Sequence, residues 1–349
     1  QLVLTWNGPL EMRPMRVDPA EQTGQRFDAI ATGHPVRVQS QQGTARCDQL
    51  VYRHERGQVW LSGTEQAPVE MAVNEMRRLV GREVFFDQQR GLARADGPGH
   101  MMDERRSESP AAQDGAPAKT GGLLDMGGKI ATDKKDRRVE IRWSRGVDIE
   151  LGKRIVQKMN PTTGLMEDKR KEFLQRAWFH GDALVKQGDS QLTAEEIAAT
   201  FGPPVSGEEL ADHIQHLNLS GAVKLMRNDD LISAERLDVE MTLTAEGRNE
   251  PKIVDGDGQV RIRQGQSEFR AERMHAVLQP MPPDQRKADD GASSFGSSRM
   301  GIETLEAYGK VFVADPEHNL KIRQAETLTC TMHVGNLLAQ ATIVGQEPN

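Results

Sequence analysis

"GAVKLMRNDDLISAERLDVEM", residues 221–241, decides how the rest of the chain is read. Val223 and Leu225 alternate with polar neighbours, and Asn228-Asp229-Asp230 supply a turn. The chain then returns through Ala234-Glu235-Arg236-Leu237 into Val239 and Met241. A period of two belongs to a strand that buries one face and leaves the other in water. The stretch predicts a hairpin.

The same pattern recurs along the chain: Gly, a spacer, an apolar residue, then Ala or Cys, an acid, any residue and a larger apolar residue. Five segments carry it: Gly33…Val36…Cys47-Asp48-Gln49-Leu50, Gly181…Ala183…Ala194-Glu195-Glu196-Ile197, the opening stretch, Gly258…Val260…Ala271-Glu272-Arg273-Met274, and Gly309…Val311…Ala325-Glu326-Thr327-Leu328. In the first four, eleven residues separate the apolar residue from the Ala or Cys. In the last, the step stretches to fourteen across Asp315-Pro316-Glu317-His318-Asn319.

Each return strand also changes parity. Phe269 and Ala271 lie on one phase, Met274, Ala276 and Leu278 on the other. A slip at a fixed place predicts a bulge or bend that carries the strand from one layer to a facing one. The repeated Gly predicts a turn or a close approach before each outgoing strand. The acid after Ala is expected to face water. A hairpin of this kind cannot bury its own apolar face, so neighbouring hairpins must stack. The expected fold is all-β: an elongated antiparallel double layer built from repeated hairpins.

Composition agrees. With 36% hydrophobic and 28% charged residues, the chain suits sheets that bury one face. A formal net charge of −7 gives no general positive field for phosphates, which argues against nucleic acid as a partner. Lys134-Lys135 and Arg137-Arg138 are short clusters interleaved with Asp133 and Asp136 and read as solvated turns. Cys47 and Cys330 fall in strand-like runs and read as small buried side chains rather than a disulfide framework. No apolar run approaches the ~20 residues needed to span a bilayer, so the segment is expected to be soluble. Gln1 already lies in an alternating run (Leu2, Leu4, Trp6) without an initiator Met, the expectation for a piece of a longer exported protein.

Two polar segments rich in small residues interrupt the repeats. Residues 101–122 read as a linker or long loop, and residues 280–300 as an insert. The expected division is a first β unit over 1–100, the linker, and a second β unit over 123–349. "MEDKRKEFLQRAWF" (166–179) and "SGEELADHIQHL" (206–217) fit either a short helix or a polar strand.

A search for chemistry finds no catalytic constellation. "GGLLDMGGKIAT" (121–132) has the wrong glycine spacing for a phosphate loop and Ile130 where Ser or Thr would hold magnesium. His213 and His216 would share a face only on a helix, and no third ligand is marked. "VDGDGQV" (254–260) reads as a hairpin turn rather than a calcium loop. No cofactor or metal is expected. The positive signal is the apolar row itself, a core if the facing layers close and a trough if they gape.

The segments "GHPVRVQSQQGTARCDQLVY", the opening stretch, "GQVRIRQGQSEFRAERMHAVL" and "GKVFVADPEHNLKIRQAETLTC" resemble the repeated strands of the OstA-like, LptA/LptC-type periplasmic proteins of lipopolysaccharide transport. The resemblance covers about two thirds of the chain. It implies a folded-over β-jellyroll, open along one side, that shields acyl chains between the inner and outer membrane. It also implies partner jellyrolls at the edge strands, end-to-end self-association, and a separate ATPase as the driver. By the resemblance, the lipid-facing row would be Val223, Leu225, Leu237, Val239, Met241, Val260, Ile262, Phe269, Met274, Val311, Val313 and Leu328. Two rivals stand beside it. A closed dry core would mark a structural or surface β-solenoid module, and a cleft with two or more convergent carboxylates a carbohydrate-processing enzyme.

Overall fold

The computed structural model describes residues 2–14, 27–40, 43–73, 77–104, 138–159, 166–202, 213–243, 249–280, 300–316, 319–333 and 337–345. These residues form nineteen strands and no helix. All nineteen are counted in one antiparallel sheet. The chain divides into two compact units, residues 1–106 with 140–181, and residues 107–139 with 182–349.

The first unit contains β1 (Leu2–Thr5), β2 (Leu10–Pro14), β3 (Phe27–Ser40), β4 (Gly43–Arg53), β5 (Gln58–Ser62), β6 (Val69–Val73), β7 (Arg77–Asp87), β8 (Leu92–Glu104), most of β9 (Arg138–Trp143), β10 (Gly146–Met159) and most of β11 (Met166–Gln187). Residues 140–181, expected from sequence to belong with 123–349, cluster with residues 1–106. The reason is strand pairing: β10 pairs with β8 from Gly146↔Asp96 to Glu150↔Leu92. The polar linker is shorter than expected at its start, because residues 101–104 end β8; residues 105–122 lie outside the described residues, as do 121–132 and 133–137. "MEDKRKEFLQRAWF" is strand, the first part of β11, held by antiparallel pairing to β10.

Continuous and interrupted strands alternate in this unit. β3 pairs with β2 over one half and β1 over the other, and β4 likewise takes β5 and β6. Each interruption falls where the chain must bend: at Asn7-Gly8-Pro9, from Gly63 to Pro68, and at Ser144-Arg145. Backbone bonds tie the breaks to their neighbours. Thr32 N donates to Pro9 O (3.1 Å), Gly63 N to Arg82 O (3.0 Å) and Ser144 N to Gly181 O (2.7 Å). The buried row Ala31, Leu50, Leu61, Val84, Ala95 and Val147 runs straight across the register of these strands.

The second unit contains β12 (Ser190–Gly202), β13 (His213–Arg227), β14 (Asp230–Leu243), β15 (Asn249–Gln264), β16 (Ser267–Pro280), β17 (Met300–Asp315), β18 (Leu320–His333) and β19 (Leu337–Gly345). Consecutive strands pair from β12 to β19. Pro280 pairs with Met300, so the insert between them is flanked by paired strands, and residues 281–299 lie outside the described residues. Of "SGEELADHIQHL", residues 206–212 lie outside the described residues and 213–217 open β13.

Here the strands bend without breaking. The repeated Gly is not at the start of a strand, as expected, but in its middle. Gly221-Ala222, Gly258-Gln259 and Gly309-Lys310 each place two successive residues at positive φ, at 76 and 48, 74 and 53, and 73 and 50 degrees. Each pair coincides with a register shift, Ser220/Val223, Asp257/Val260 and Tyr308/Val311. "VDGDGQV" is therefore a mid-strand corner, not a hairpin turn. The true turns lie farther on, with Gly188, Asn228 and Gly265 at positive φ.

The acid of the repeat completes the corner. A Cβ on Gly221 would lie 2.5 Å from the Glu195 side chain, and one on Gly258 would lie 2.5 Å from Glu235. At Gly309 the same space is filled by Glu272, which also takes Lys310 Nζ at 2.8 Å. Left-handed geometry alone favours glycine. The carboxylate stem packed over the bare Cα is the second reason, and it explains why Gly and the preceding hairpin's acid recur together.

Candidate functional site

The twelve residues of the expected lipid-facing row all lie in the second unit, and they separate into two groups. Val223, Val260 and Val311 are 0–1% exposed, and Leu237, Val239, Met274 and Leu328 no more than 5%. Leu225, Ile262, Phe269 and Val313 are only half-buried. Met241 is half-buried too, at the far end of β14, where a register shift pairs it with Pro251.

Strand register explains the division. On the turn side of the corners, Leu225↔Ile232, Ile232↔Ile262, Ile262↔Phe269, Phe269↔Val313 and Val313↔Ile322 are successive Cα partners across six strands. The next row towards the corner pairs Val223 with Ala234, Val260 with Ala271 and Val311 with Ala325, and every member is buried. Both arms of the bent strands feed one core: Ala271, Val311 and Ala325 from the turn side cluster with Ala307, Leu328 and Cys330 from beyond the corner, and Phe269, Val313 and Ile322 pack against them. The interior is thus sealed at the corner, and one row farther out it loosens at Leu225, Ile262, Phe269, Val313 and Ile322 while Ile232 stays buried.

Ile232 and Ile322 belong to this outer row and were missed from sequence. They sit in phase with Ala234 and close to Ala325, and the parity rule applied before the slip would have found Ile232.

Polar pairs cover the opposite face of this arm. Arg261 Nε donates to Glu268 Oε1 (2.7 Å), and Arg270 grips the same carboxylate through Nε and Nη2 (both 2.9 Å). The Arg270 hydrogen bonds, with Arg261 behind them, hold Glu268 below the usual carboxylate range. Ser267 Oγ bonds Asp315 Oδ1 (3.2 Å) and Gly265 N bonds Asp230 Oδ1 (3.2 Å), which fixes the turns at the lip.

Beyond the corner the outward face holds a shallow cleft of about 430 Å³ floored by Gly256 and Met274 and walled by charged side chains. His216 bonds Asp238, whose other oxygen accepts from Asn218 Nδ2 (2.6 Å), and His275 Nδ1 meets Asp255 Oδ1 at 2.7 Å. The strand places His213 in a buried position and His216 on the outward row, so the two do not act together. Among the described residues no group of three or more His, Cys, Asp or Glu is arranged to hold a metal ion.

The chain was compared with protein-family models, curated proteins and solved structures, and none of the three comparisons finds a match.

Proposed function

We propose that this protein is a non-enzymatic scaffold of lipopolysaccharide transport, acting in the periplasm as a folded-over β-jellyroll whose apolar interior shields acyl chains. The observation that carries the reading is the cross-strand row Leu225, Ile232, Ile262, Phe269, Val313 and Ile322, aliphatic apart from Phe269 and half-buried at every position except Ile232, which is 2% exposed. An apolar row that stays half-buried at five of its six positions supports a binding surface for extended hydrocarbon. The edge strand β19 supports the association part of the proposal. It pairs only with β18 among the described residues and exposes Ile343 and Val344 at 50% and 47%. An open edge of this kind is a template for another jellyroll or a second copy of the chain.

One observation favours a second reading, a structural module with a closed core: the adjacent row, with Val223, Val260 and Val311, is fully sealed. Two substitutions one row apart separate the readings. On the transport reading, Ile262→Asp keeps its melting transition and loses co-elution with fluorescent lipopolysaccharide, whereas Val260→Asp unfolds. If Ile262→Asp unfolds as well, the outer row is core and the structural reading stands.

A further inference from the structure

The outward cleft beyond the corner carries an arrangement that neither the core nor the trough requires. Two polar rows cross it, Arg236, Asp257, Arg273 and Tyr308 in one, Asp238, Asp255, His275 and Glu306 in the other, each member a Cα partner of the next. Asp238 and Asp255 therefore stand directly opposite each other, a placement of like charges that costs stability. Asp257 is flanked in register by Arg236 and Arg273, yet no ion pair or hydrogen bond reaches it among the described residues. Arg273 has instead laid its guanidinium over the Tyr308 ring, 5.7 Å from the centroid. Tyr308 is held by a hydrogen bond from its hydroxyl to Glu306 Oε2 (2.7 Å) and remains 36% exposed.

An uncommitted acceptor and an uncommitted donor fork thus sit on directly paired positions of adjacent strands, beside an aromatic ring, in a concavity. The choice of ligand follows from the mixture of signs. An anion would meet Asp238, Asp255 and Asp257, and a cation would meet Arg236 and Arg273. A hydroxyl both donates and accepts, so neighbouring hydroxyls on one ring can satisfy Asp257 and Arg273 together, with the C–H face of the ring against Tyr308. Asp238 spends both oxygens on His216 and Asn218, and Asp255 is bonded to His275. These are positioned acceptors rather than an acid and base poised around water.

We infer that this cleft is a binding site for a neutral oligosaccharide, recognised by Asp257 and Arg273 and independent of the apolar trough on the other face.

The test is calorimetric titration of the whole chain with neutral tetrasaccharides of glucose, mannose and galactose, alongside spermidine and inorganic phosphate. The expected result is saturable binding of at least one tetrasaccharide, weakened roughly tenfold by Asp257→Ala and by Arg273→Ala, with melting temperatures unchanged because both side chains are exposed. Ile262→Asp should leave this binding intact, which keeps the result separate from the fate of the trough. The inference is overturned if no tetrasaccharide binds, if both alanine variants bind as tightly as the parent, or if only spermidine or phosphate shows binding that depends on these residues.

Discussion

The two compact units meet the same geometric demand, turning a sheet through a corner, in different ways. The first interrupts alternate strands: β1 and β2, β5 and β6, and β9 and β10 are separated by short irregular segments, each stitched to the next strand by backbone hydrogen bonds. The second keeps its strands whole and bends them at a left-handed Gly-X pair covered by a glutamate from the neighbouring strand. An interruption can be made from many residue combinations. A left-handed bend under a packed side chain cannot, and it leaves the same few residues at every corner.

The contrast can be tested, beginning with the largest expected effect. Val260 is 1% exposed one row inside the half-buried Ile262. Val260→Asp should cost ~4 kcal/mol or more, by placing an unpaired charge in a closed core. Chemical denaturation of the two aspartate variants measures how sharply the interior changes across a single row.

At the corners, Gly258→Ala should cost about 2 kcal/mol, combining the left-handed penalty with the clash against Glu235. Adding Glu235→Ala should restore only part of that loss, because it removes the Cδ and Oε2 contacts but keeps the Cβ, itself 2.5 Å from the added methyl. In the first unit, Gly33 faces Asn7 backbone O and N at 2.7 and 2.9 Å. Gly33→Ala should be equally damaging, with no rescue by substitution of Asn7. A rescue there would mean that the two kinds of corner are not physically distinct. Glu235→Ala alone should change stability by less than about 0.5 kcal/mol, since the side chain is exposed.

The repeats were legible because the second unit reuses one solution. Gly181, Gly221 and Gly258 each precede the acid of their own hairpin, Glu195, Glu235 and Glu272, by fourteen residues, and the parity slip in each return strand marked the bend itself. What sequence misjudged was the place of the glycine, since a left-handed residue in mid-strand and one at a turn leave the same local signal. The first unit was less legible. Gly8-Pro9, Gly63 and Ser144 share no pattern, and the pairing of β10 with β8 crosses the long segment that looked like a domain boundary. The outward cleft was invisible for a different reason: Asp238, Asp255, Asp257 and Arg273 alternate as a solvated face should, and only strand register shows that two acids stand opposite each other.

Two weaker effects depend on pH. Burial lifts the Cys47 thiol in the first unit to about 11 and raises that of Cys330 in the second. For Cys47, the unfolded chain loses its proton near the ordinary thiol value while the folded chain keeps it. Stability is therefore full below that value and declines as the pH rises towards 11. Cys47→Ala should flatten that limb of a stability profile. Glu268 has the opposite sign: its folded value is depressed, so its contribution is present above the ordinary carboxylate range and lost as the pH falls through the folded value. Glu268→Gln should differ from the parent at neutral pH and converge with it in acid, by a margin kept small by solvent.

The most direct test of the trough is photocrosslinking to purified lipopolysaccharide from position 262 in the half-buried row, with position 239 in the sealed core and position 261 on the opposite face as controls. The account predicts a crosslink from 262 and none from 261 or 239. Crosslinking from 261 alone, or from no position in a folded protein, would contradict it.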